Sequence, residues 1–189
     1  MKPIPIYALL ASSLSLTAVS LAAAADSAGN AVVKRGEYLT TIGGCHDCHT
    51  PLKMGPKGPE PDMSRMLSGH PETLKMPGAP DLGKGPWVWV GSGTNTAFAG
   101  PWGVTYAANL TSDKATGMGG WKAEDFIKTM RTGKHLGAGR DILPPMPWQN
   151  VARITDSDLR AMFKYLQSVP AIRNAVPQYA PPVTPAAKS

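Results

Sequence analysis

The sequence predicts an all-α domain, interrupted by one long irregular loop, and three features support this prediction. Apolar residues recur with helical spacing in the segments 31–43, 121–132 and 156–168. Glycine and proline punctuate residues 51–105, where only Trp87–Val90 could form a short strand. The third feature is one short motif of cysteine and histidine, which lies where the first helix meets the loop.

The N-terminus has the pattern of a cleaved export signal. Lys2 is followed by uncharged apolar or small residues from Ile6 to Ala24, and Ala23-Ala24-Ala25 forms an A-x-A cleavage site. We expect residues 1–25 to be a signal peptide. A retained membrane anchor is the alternative, because the apolar run is nearly long enough to span a bilayer. No later segment could cross a membrane, so we expect a periplasmic protein of a Gram-negative bacterium without stable membrane insertion.

Length and charge narrow the class of protein further. A mature chain of about 164 residues (189 minus 25) suits one domain. The formal net charge of +6 falls to +5 when Lys2 leaves, which favours an acidic partner surface or an anionic membrane face. Lysine and arginine are scattered rather than clustered on one helix, so we expect no nucleic-acid partner.

The first predicted helix, 31–43, carries a small and apolar face formed by Val32, Gly36, Leu39 and Gly43. A glycine inside a helix costs about 1 kcal/mol relative to alanine. We therefore expect another helix to approach closely at Gly36. Gly43-Gly44 then ends the helix and turns the chain into the cysteine motif.

The motif is Cys45-His46-Asp47-Cys48-His49, and it holds both cysteines of the chain. Two thiols at this spacing can form thioether bonds to the vinyl groups of haem, and the histidine that follows can bind the iron. We expect one covalent haem c held by Cys45 and Cys48, with His49 as the proximal iron ligand and His46 pointing to solvent.

Three other uses of a cysteine pair fit this sequence less well. A zinc site needs two further ligands, and no second C-x-x-C or H-x-x-x-H is present. A thioredoxin-like redox pair follows a strand in a βαβ unit, which the flanking sequence does not resemble. A structural disulfide would close a very short loop and would contribute little stability.

The segment 51–105 is expected to be an ordered but irregular lid rather than a separate domain. It carries the aromatic residues Trp87, Trp89, Phe98 and Trp102. We expect them to cover a haem face or edge; the alternative is a small satellite core beneath the loop.

The C-terminal half contains the other two predicted helices. The first, 121–132, presents Phe126, Ile127 and Met130 on one face and stops at Gly133. Thr155 is the predicted N-cap of the second helix. Its apolar stripe consists of Leu159, Met162, Phe163 and Leu166. The Pro- and Ala-rich tail 171–189 is expected to be extended over the surface or mobile.

The predicted distal iron ligand is Met146, within Leu143-Pro144-Pro145-Met146-Pro147-Trp148. Flanking prolines restrict the backbone, so the thioether is presented rigidly, and a neutral sulfur ligand favours Fe(II). The alternative is a packed loop residue with no iron-binding role. Two methionines fall on apolar helix faces and are expected in the core, Met130 and Met162. Pattern alone leaves open five loop methionines, namely Met54, Met63, Met66, Met76 and Met118, and two histidines, His70 and His135.

Together these motifs resemble class I cytochrome c. The resemblance covers residues 31–50 and 106–170, and it includes Asn109-Leu110-Thr111 and the segment from Thr116 to Trp121. The chain is similar to the cytochrome c domains that accompany periplasmic alcohol, gluconate and aldehyde dehydrogenases. Two departures are the length of 51–105 and a single haem motif where those subunits usually carry several haems.

The resemblance implies a class I cytochrome c fold spanning 26–170, with Gly36 against the C-terminal helix near Tyr165. It also implies that three residues lie near the haem edge or propionates, namely Asn109, Thr111 and Trp121. We expect a periplasmic single-electron carrier, not an enzyme. A periplasmic dehydrogenase would be its donor, and an oxidase or another cytochrome its acceptor. The alternatives are a fixed cytochrome subunit of a dehydrogenase complex and a haem enzyme with an open distal site.

Overall fold

The computed structural model describes residues 27–182, and its first element is helix α1, over 27–42. Gly36 and Leu39 are buried on its inner face, as predicted, and Thr40 is buried beside them. Val32 is 39% exposed, whereas Val33 packs against the core. The inner face of the helix is therefore rotated by one residue from the predicted stripe at its N-terminal end.

Two small antiparallel sheets make the all-α prediction too narrow. Strands β1 and β2 form a hairpin in which Leu52 pairs with Pro61 and Gly55 with Gly58. The second sheet has the order β3–β4–β5. The five strands are β1 Leu52–Gly55, β2 Gly58–Pro61, β3 Val90–Gly91, β4 Ala97–Gly100 and β5 Gly103–Tyr106. All five strands begin within the segment 51–105, which was predicted to be irregular. The segment is more regular than predicted because several of its glycines form hairpin turns, such as Gly58 with φ 119°.

The remaining helices follow the cysteine motif and the sheets. They are α2 Cys45–His49, α3 Ala123–Thr132, α4 Trp148–Val151 and α5 Asp156–Ser168. Single turns of 3-10 helix occur at Met63–Arg65 and His135–Gly137. Two predicted boundaries are confirmed. Gly133 ends α3 in the left-handed conformation with φ 66°, and the Thr155 hydroxyl accepts the Asp158 N–H at 3.2 Å.

The main core lies between α1, α3 and α5. Leu159, Met162 and Leu166 of α5 are at most 2% exposed, and the rings of Phe126 and Phe163 pack at 5.8 Å. Each such buried apolar side chain contributes about 1.5–3 kcal/mol relative to exposure. The predicted core positions of Met130 and Met162 are confirmed.

Helix α1 crosses α5 in close contact at Gly36. A Cβ added there would lie 2.5 Å from the carbonyl carbon of Ala161 and 2.8 Å from Cβ of Tyr165. The predicted approach of the C-terminal helix is therefore confirmed.

A C-terminal strap, residues 171–182, crosses the surface in extended form and is fastened to the rest of the protein. The Asn174 side chain donates to the carbonyl oxygens of Ser68 and His70 at 2.7 and 2.8 Å. Further along, Ala180 forms an antiparallel bridge with Val104 of β5. The strap thus ties the 51–105 segment to the helical core, and the rest of the predicted tail, 183–189, lies outside the described residues.

Among the aromatic residues of 51–105, two pack against each other and one is largely exposed. Phe98 is buried and packs edge-on against Trp89 at 6.0 Å, outside the main core, as the satellite-core alternative predicted. Trp87 is 74% exposed, so it covers nothing among the described residues.

The predicted signal peptide, 1–25, lies outside the described residues. Among the helices of 27–182, none combines the length and the apolar character that crossing a bilayer requires.

Candidate functional site

The cysteine motif forms a single helical turn, α2, directly after α1. Gly44 makes the sharp turn between the two helices, because its φ of 68° is left-handed, a conformation that glycine adopts without strain. Cys45 and Cys48 stand three residues apart in α2, which places them on one side of the helix. Both thiols are free and partly buried.

Burial controls the chemistry of the two thiols. It raises the pKa of Cys45 to about 11 and raises the pKa of Cys48 as well. Both are therefore neutral thiols near pH 7 rather than thiolates. A structural zinc site needs four ligands, and within 27–182 no three His, Cys, Asp or Glu side chains stand together as a metal site requires.

Two hydrogen bonds hold His49 in place and leave its Nε2 available to bind a metal. Its Nδ1 lies 2.8 Å from the carbonyl oxygen of Ala108, and its own carbonyl oxygen accepts the Gly69 N–H at 2.8 Å. A carbonyl can only accept, so Nδ1 carries the proton and Nε2 presents a lone pair. Burial lowers the pKa of His49 and thereby favours this neutral, metal-binding form.

His46 differs from the prediction that it points to solvent. It is partly buried, and its Nδ1 lies 3.2 Å from the hydroxyl of Thr50, which also accepts the Leu67 N–H at 3.0 Å. The side chain therefore helps to fix the end of α2.

Met146 lies in the loop between α3 and α4, after the 3-10 turn His135–Gly137, and packs against the same core that Cys45 borders. The loop is tied to the second sheet, because the Thr105 hydroxyl donates to the carbonyl oxygen of Pro144 at 2.9 Å. On the other side, the Trp148 N–H donates to the Met146 carbonyl oxygen at 2.9 Å. The backbone of the loop is thus held by hydrogen bonds at Pro144 and at Met146 itself.

The rival ligands occupy different environments. His70 is fully buried with both ring nitrogens in hydrogen bonds, and His135 packs edge-on against Trp121 at 5.1 Å. Met54 and Met63 are 78% and 59% exposed. The other three methionines have more apolar surroundings. Met118 is buried, Met66 borders the main core, and Met76 lines an apolar cavity of about 190 Å³ within 51–105.

Asn109 and Thr111, which the resemblance placed near a haem edge, hold the C-terminal strap. The Asn109 side chain donates to the carbonyl oxygen of Ile172 at 2.8 Å and accepts from the Thr111 hydroxyl at 2.7 Å. Trp121 is partly buried and borders the main core.

Sequence reasoning missed the groups that support α2, namely Gly69, Asn95 and Ala108. Two of them act through backbone atoms, which carry no residue-type signal. The third, Asn95, donates from its side chain to the Asp47 carbonyl oxygen at 2.8 Å. A left-handed backbone at Asn95, with φ 52°, is the one feature that its residue type could have suggested.

The donor set fits a covalently bound haem. It offers two neutral thiols on one side of a helical turn, a neutral imidazole with a free nitrogen, and a thioether in an anchored loop. Partly buried apolar side chains border the same core and could cover a flat apolar ligand, namely Val33, Met66, Leu110, Trp121, Val151 and Ile154. The described residues therefore provide the donor groups that one covalently attached haem would need.

Comparison with known proteins points to the same class. No protein-family model matches the chain. The chain is 30% identical to the cytochrome c subunit of alcohol dehydrogenase (quinone) from Gluconobacter oxydans (strain 621H), over 93% of its own length and 30% of the relative. It is 32% identical to the gluconate 2-dehydrogenase cytochrome c subunit of Pantoea cypripedii, over 85% of its own length and 27% of the relative. A fructose dehydrogenase cytochrome subunit from Gluconobacter japonicus is 25% identical over 75% of this chain and 22% of its own.

The chain is thus similar to the cytochrome c subunits of dehydrogenases, and the resemblance to those of alcohol and gluconate dehydrogenases is confirmed. The chain spans less than a third of the length of these relatives. The similarity supports electron transfer by a cytochrome, because the relatives are named as cytochrome subunits.

Proposed function

We propose that the chain is a periplasmic single-electron carrier with one covalent haem c. Cys45 and Cys48 would hold the haem through thioether bonds, and His49 and Met146 would be its axial ligands. The observation that carries the proposal is the state of His49. It lies in the same helical turn as two free thiols, its Nδ1 is bonded to a carbonyl oxygen, and its Nε2 is available.

When bound, haem supplies a one-electron couple between Fe(II) and Fe(III). The protein's part is to hold that couple with little change in geometry. The two hydrogen bonds of His49 fix its ring and its backbone, and the bonds at Pro144 and Trp148 fix the Met146 loop. Rigid ligands favour fast electron transfer because little must move when the charge changes.

The proposed donor is a periplasmic dehydrogenase, and the acceptor is an oxidase or another cytochrome. A carrier needs a brief encounter, so we expect a small and weak interface. The net positive charge would steer an acidic partner surface towards the protein, and its association rate would fall with added salt.

The first test is the absorption spectrum of the matured protein, oxidised and reduced, beside the variant Met146→Ala. We expect a low-spin c-type spectrum whose weak Fe(III)–Met band is absent from the variant. Met66→Ala is the matched control, since Met66 also borders the core and its thioether should leave the band unchanged. Loss of the band in Met66→Ala instead would contradict the ligand assignment.

Two further measurements separate the alternatives. A high-spin wild-type spectrum with rapid binding of added ligands would favour the haem enzyme with an open distal site. The names of the relatives favour the second candidate, a fixed cytochrome subunit of a dehydrogenase complex. A complex with the dehydrogenase that survives high salt would support that role, whereas one that salt dissociates would support the carrier.

A further inference from the structure

Three buried residues behind the haem motif are hydrogen-bonded to one another in a closed triangle. The His70 N–H donates to the carbonyl oxygen of Ala107 at 2.9 Å, and the Ala107 N–H donates to that of Thr96 at 2.8 Å. The third side joins the Thr96 hydroxyl to Nδ1 of His70 at 2.9 Å. His70 and Thr96 are fully buried. We call this group the His70 triangle.

The proton positions in the triangle are fixed by its surroundings. Nε2 of His70 lies 2.9 Å from the Leu74 carbonyl oxygen, so Nε2 carries the proton and Nδ1 accepts from Thr96. The Thr96 hydroxyl in turn lies 2.8 Å from that of Thr94, which lies 3.0 Å from that of Ser92. Ser92 already accepts two backbone N–H groups, so it donates to Thr94 and the whole chain of hydroxyls runs towards His70.

The chain neighbours of all three triangle members contact α2. Gly69, next to His70, donates its N–H to the His49 carbonyl oxygen at 2.8 Å. Asn95, next to Thr96, donates its side chain to the Asp47 carbonyl oxygen at 2.8 Å. Ala108, next to Ala107, accepts from Nδ1 of His49 at 2.8 Å. Three hydrogen bonds to one helical turn therefore depend on where the triangle holds its neighbours.

We propose that the hydroxyl–imidazole bond between Thr96 and His70 positions the iron ligand His49. The proposal rests on the proposed function, because it assigns the pair a role in tuning a bound haem. A hydrogen bond from Nδ1 to a carbonyl oxygen raises the basicity of a ligating imidazole. A more basic ligand stabilises Fe(III). If the triangle loosens, the bond to Ala108 weakens and Fe(II) is favoured, so the reduction potential rises.

The test compares Thr96→Val with Thr96→Ser in the haem-loaded protein. Valine has nearly the same shape but cannot donate to His70, whereas serine can. Outer-shell changes at metal ligands typically alter affinity by about 10–100-fold. We expect Thr96→Val to shift the equilibrium towards Fe(II) by about tenfold, a rise of about 59 mV for one electron. Thr96→Ser should restore the wild-type potential.

A second readout does not depend on redox chemistry. The Gly69 N–H reports directly on the bond to the His49 backbone, and its hydrogen exchange should become about tenfold faster in Thr96→Val. Thr94→Val is the milder variant for use if Thr96→Val does not fold. It removes the hydroxyl that orients Thr96, and it should change both readouts in the same direction by a smaller factor.

Thr129→Val is the matched control. Thr129 is 3% exposed and its hydroxyl donates to the Asp125 carbonyl oxygen at 2.7 Å within α3, away from the triangle. It should lower stability without moving the potential. If the Thr96 and Thr94 variants lose stability but keep the wild-type potential, the pair is merely structural and the proposal is wrong. A wild-type protein without a His49-ligated haem would instead overturn the proposed function and this proposal with it.

Discussion

The contact between α1 and α5 at Gly36 gives a prediction whose size follows from the structure. In Gly36→Ala the new Cβ would lie 2.5 Å from the Ala161 carbonyl carbon and 2.8 Å from Cβ of Tyr165. Ordinary contact begins near 3.4 Å, so the two helices must separate by roughly 1 Å. Both contacted atoms belong to or adjoin the backbone of α5, so no side-chain rotation can relieve the overlap.

Two terms of opposite sign set the net effect on stability. Overpacking in a close-packed core typically costs about 1–3 kcal/mol and occasionally more. Replacing a helical glycine by alanine returns up to about 1 kcal/mol through helix propensity. Because the overlap in Gly36→Ala is with backbone, we place the cost at the upper end and expect a net loss of about 1–2 kcal/mol.

Chemical denaturation of the haem-loaded protein, followed by circular dichroism, measures this loss. Gly29→Ala is the control in the same helix, because nothing lies within 4 Å of its added Cβ, and only the propensity gain should remain. The opposite signs expected for the two variants separate packing from propensity. If Gly36→Ala is as stable as wild type or more so, the close α1–α5 contact does not exist as described.

Two further predictions concern the strap and the histidine of the triangle. Asn174→Ala removes three hydrogen bonds to backbone groups of the 51–105 segment, each worth about 1 kcal/mol. The free energy of unfolding should therefore fall by about 2–4 kcal/mol. Gln178 is exposed, so the control Gln178→Ala should change that free energy little in the same denaturation assay. Burial lowers the pKa of His70 in the folded protein, with smaller contributions from Arg65 and Lys75. As the pH falls below about 6.5, the imidazole is protonated in the unfolded chain before it is protonated in the folded protein. The folded protein therefore loses stability as the pH falls through this range. His70→Gln should therefore show a shallower fall in denaturation midpoint between about pH 7 and pH 5, and an equally steep fall would contradict the assignment.

The helical part of the fold could be predicted because its signals are local. Helices α3 and α5 begin and end close to their predicted residues, since the Thr155 cap and the Gly133 stop act within one turn. The need for a close neighbour at Gly36 was also readable, because an unexplained glycine in a helix implies a packing reason. The neighbour's position near Tyr165 came from the family resemblance rather than from periodicity.

The sheets could not be predicted by the same means. Their strands are two to four residues long, which is too short for alternation to appear, although each strand pairs with a neighbour in sequence. Glycine and proline predict irregular chain in this segment, yet Gly58 and Gly103 lie at the turns of hairpins. The supports of His49 were invisible for a related reason, since Gly69 and Ala108 act through backbone atoms whose placement depends on the tertiary fold.

These supports suggest why so long a segment lies between the cysteine motif and α3. Among the hydrogen bonds that the segment makes outside itself are those to the carbonyl oxygens of Asp47 and His49 and those to the strap at Asn174. Its chain returns through Ala108 to Nδ1 of His49. A segment that only covered an apolar surface would not need hydrogen bonds to the backbone of α2. We therefore interpret the segment as a support that holds α2 and His49 in position through hydrogen bonds. The strap, in turn, holds the segment against the rest of the protein.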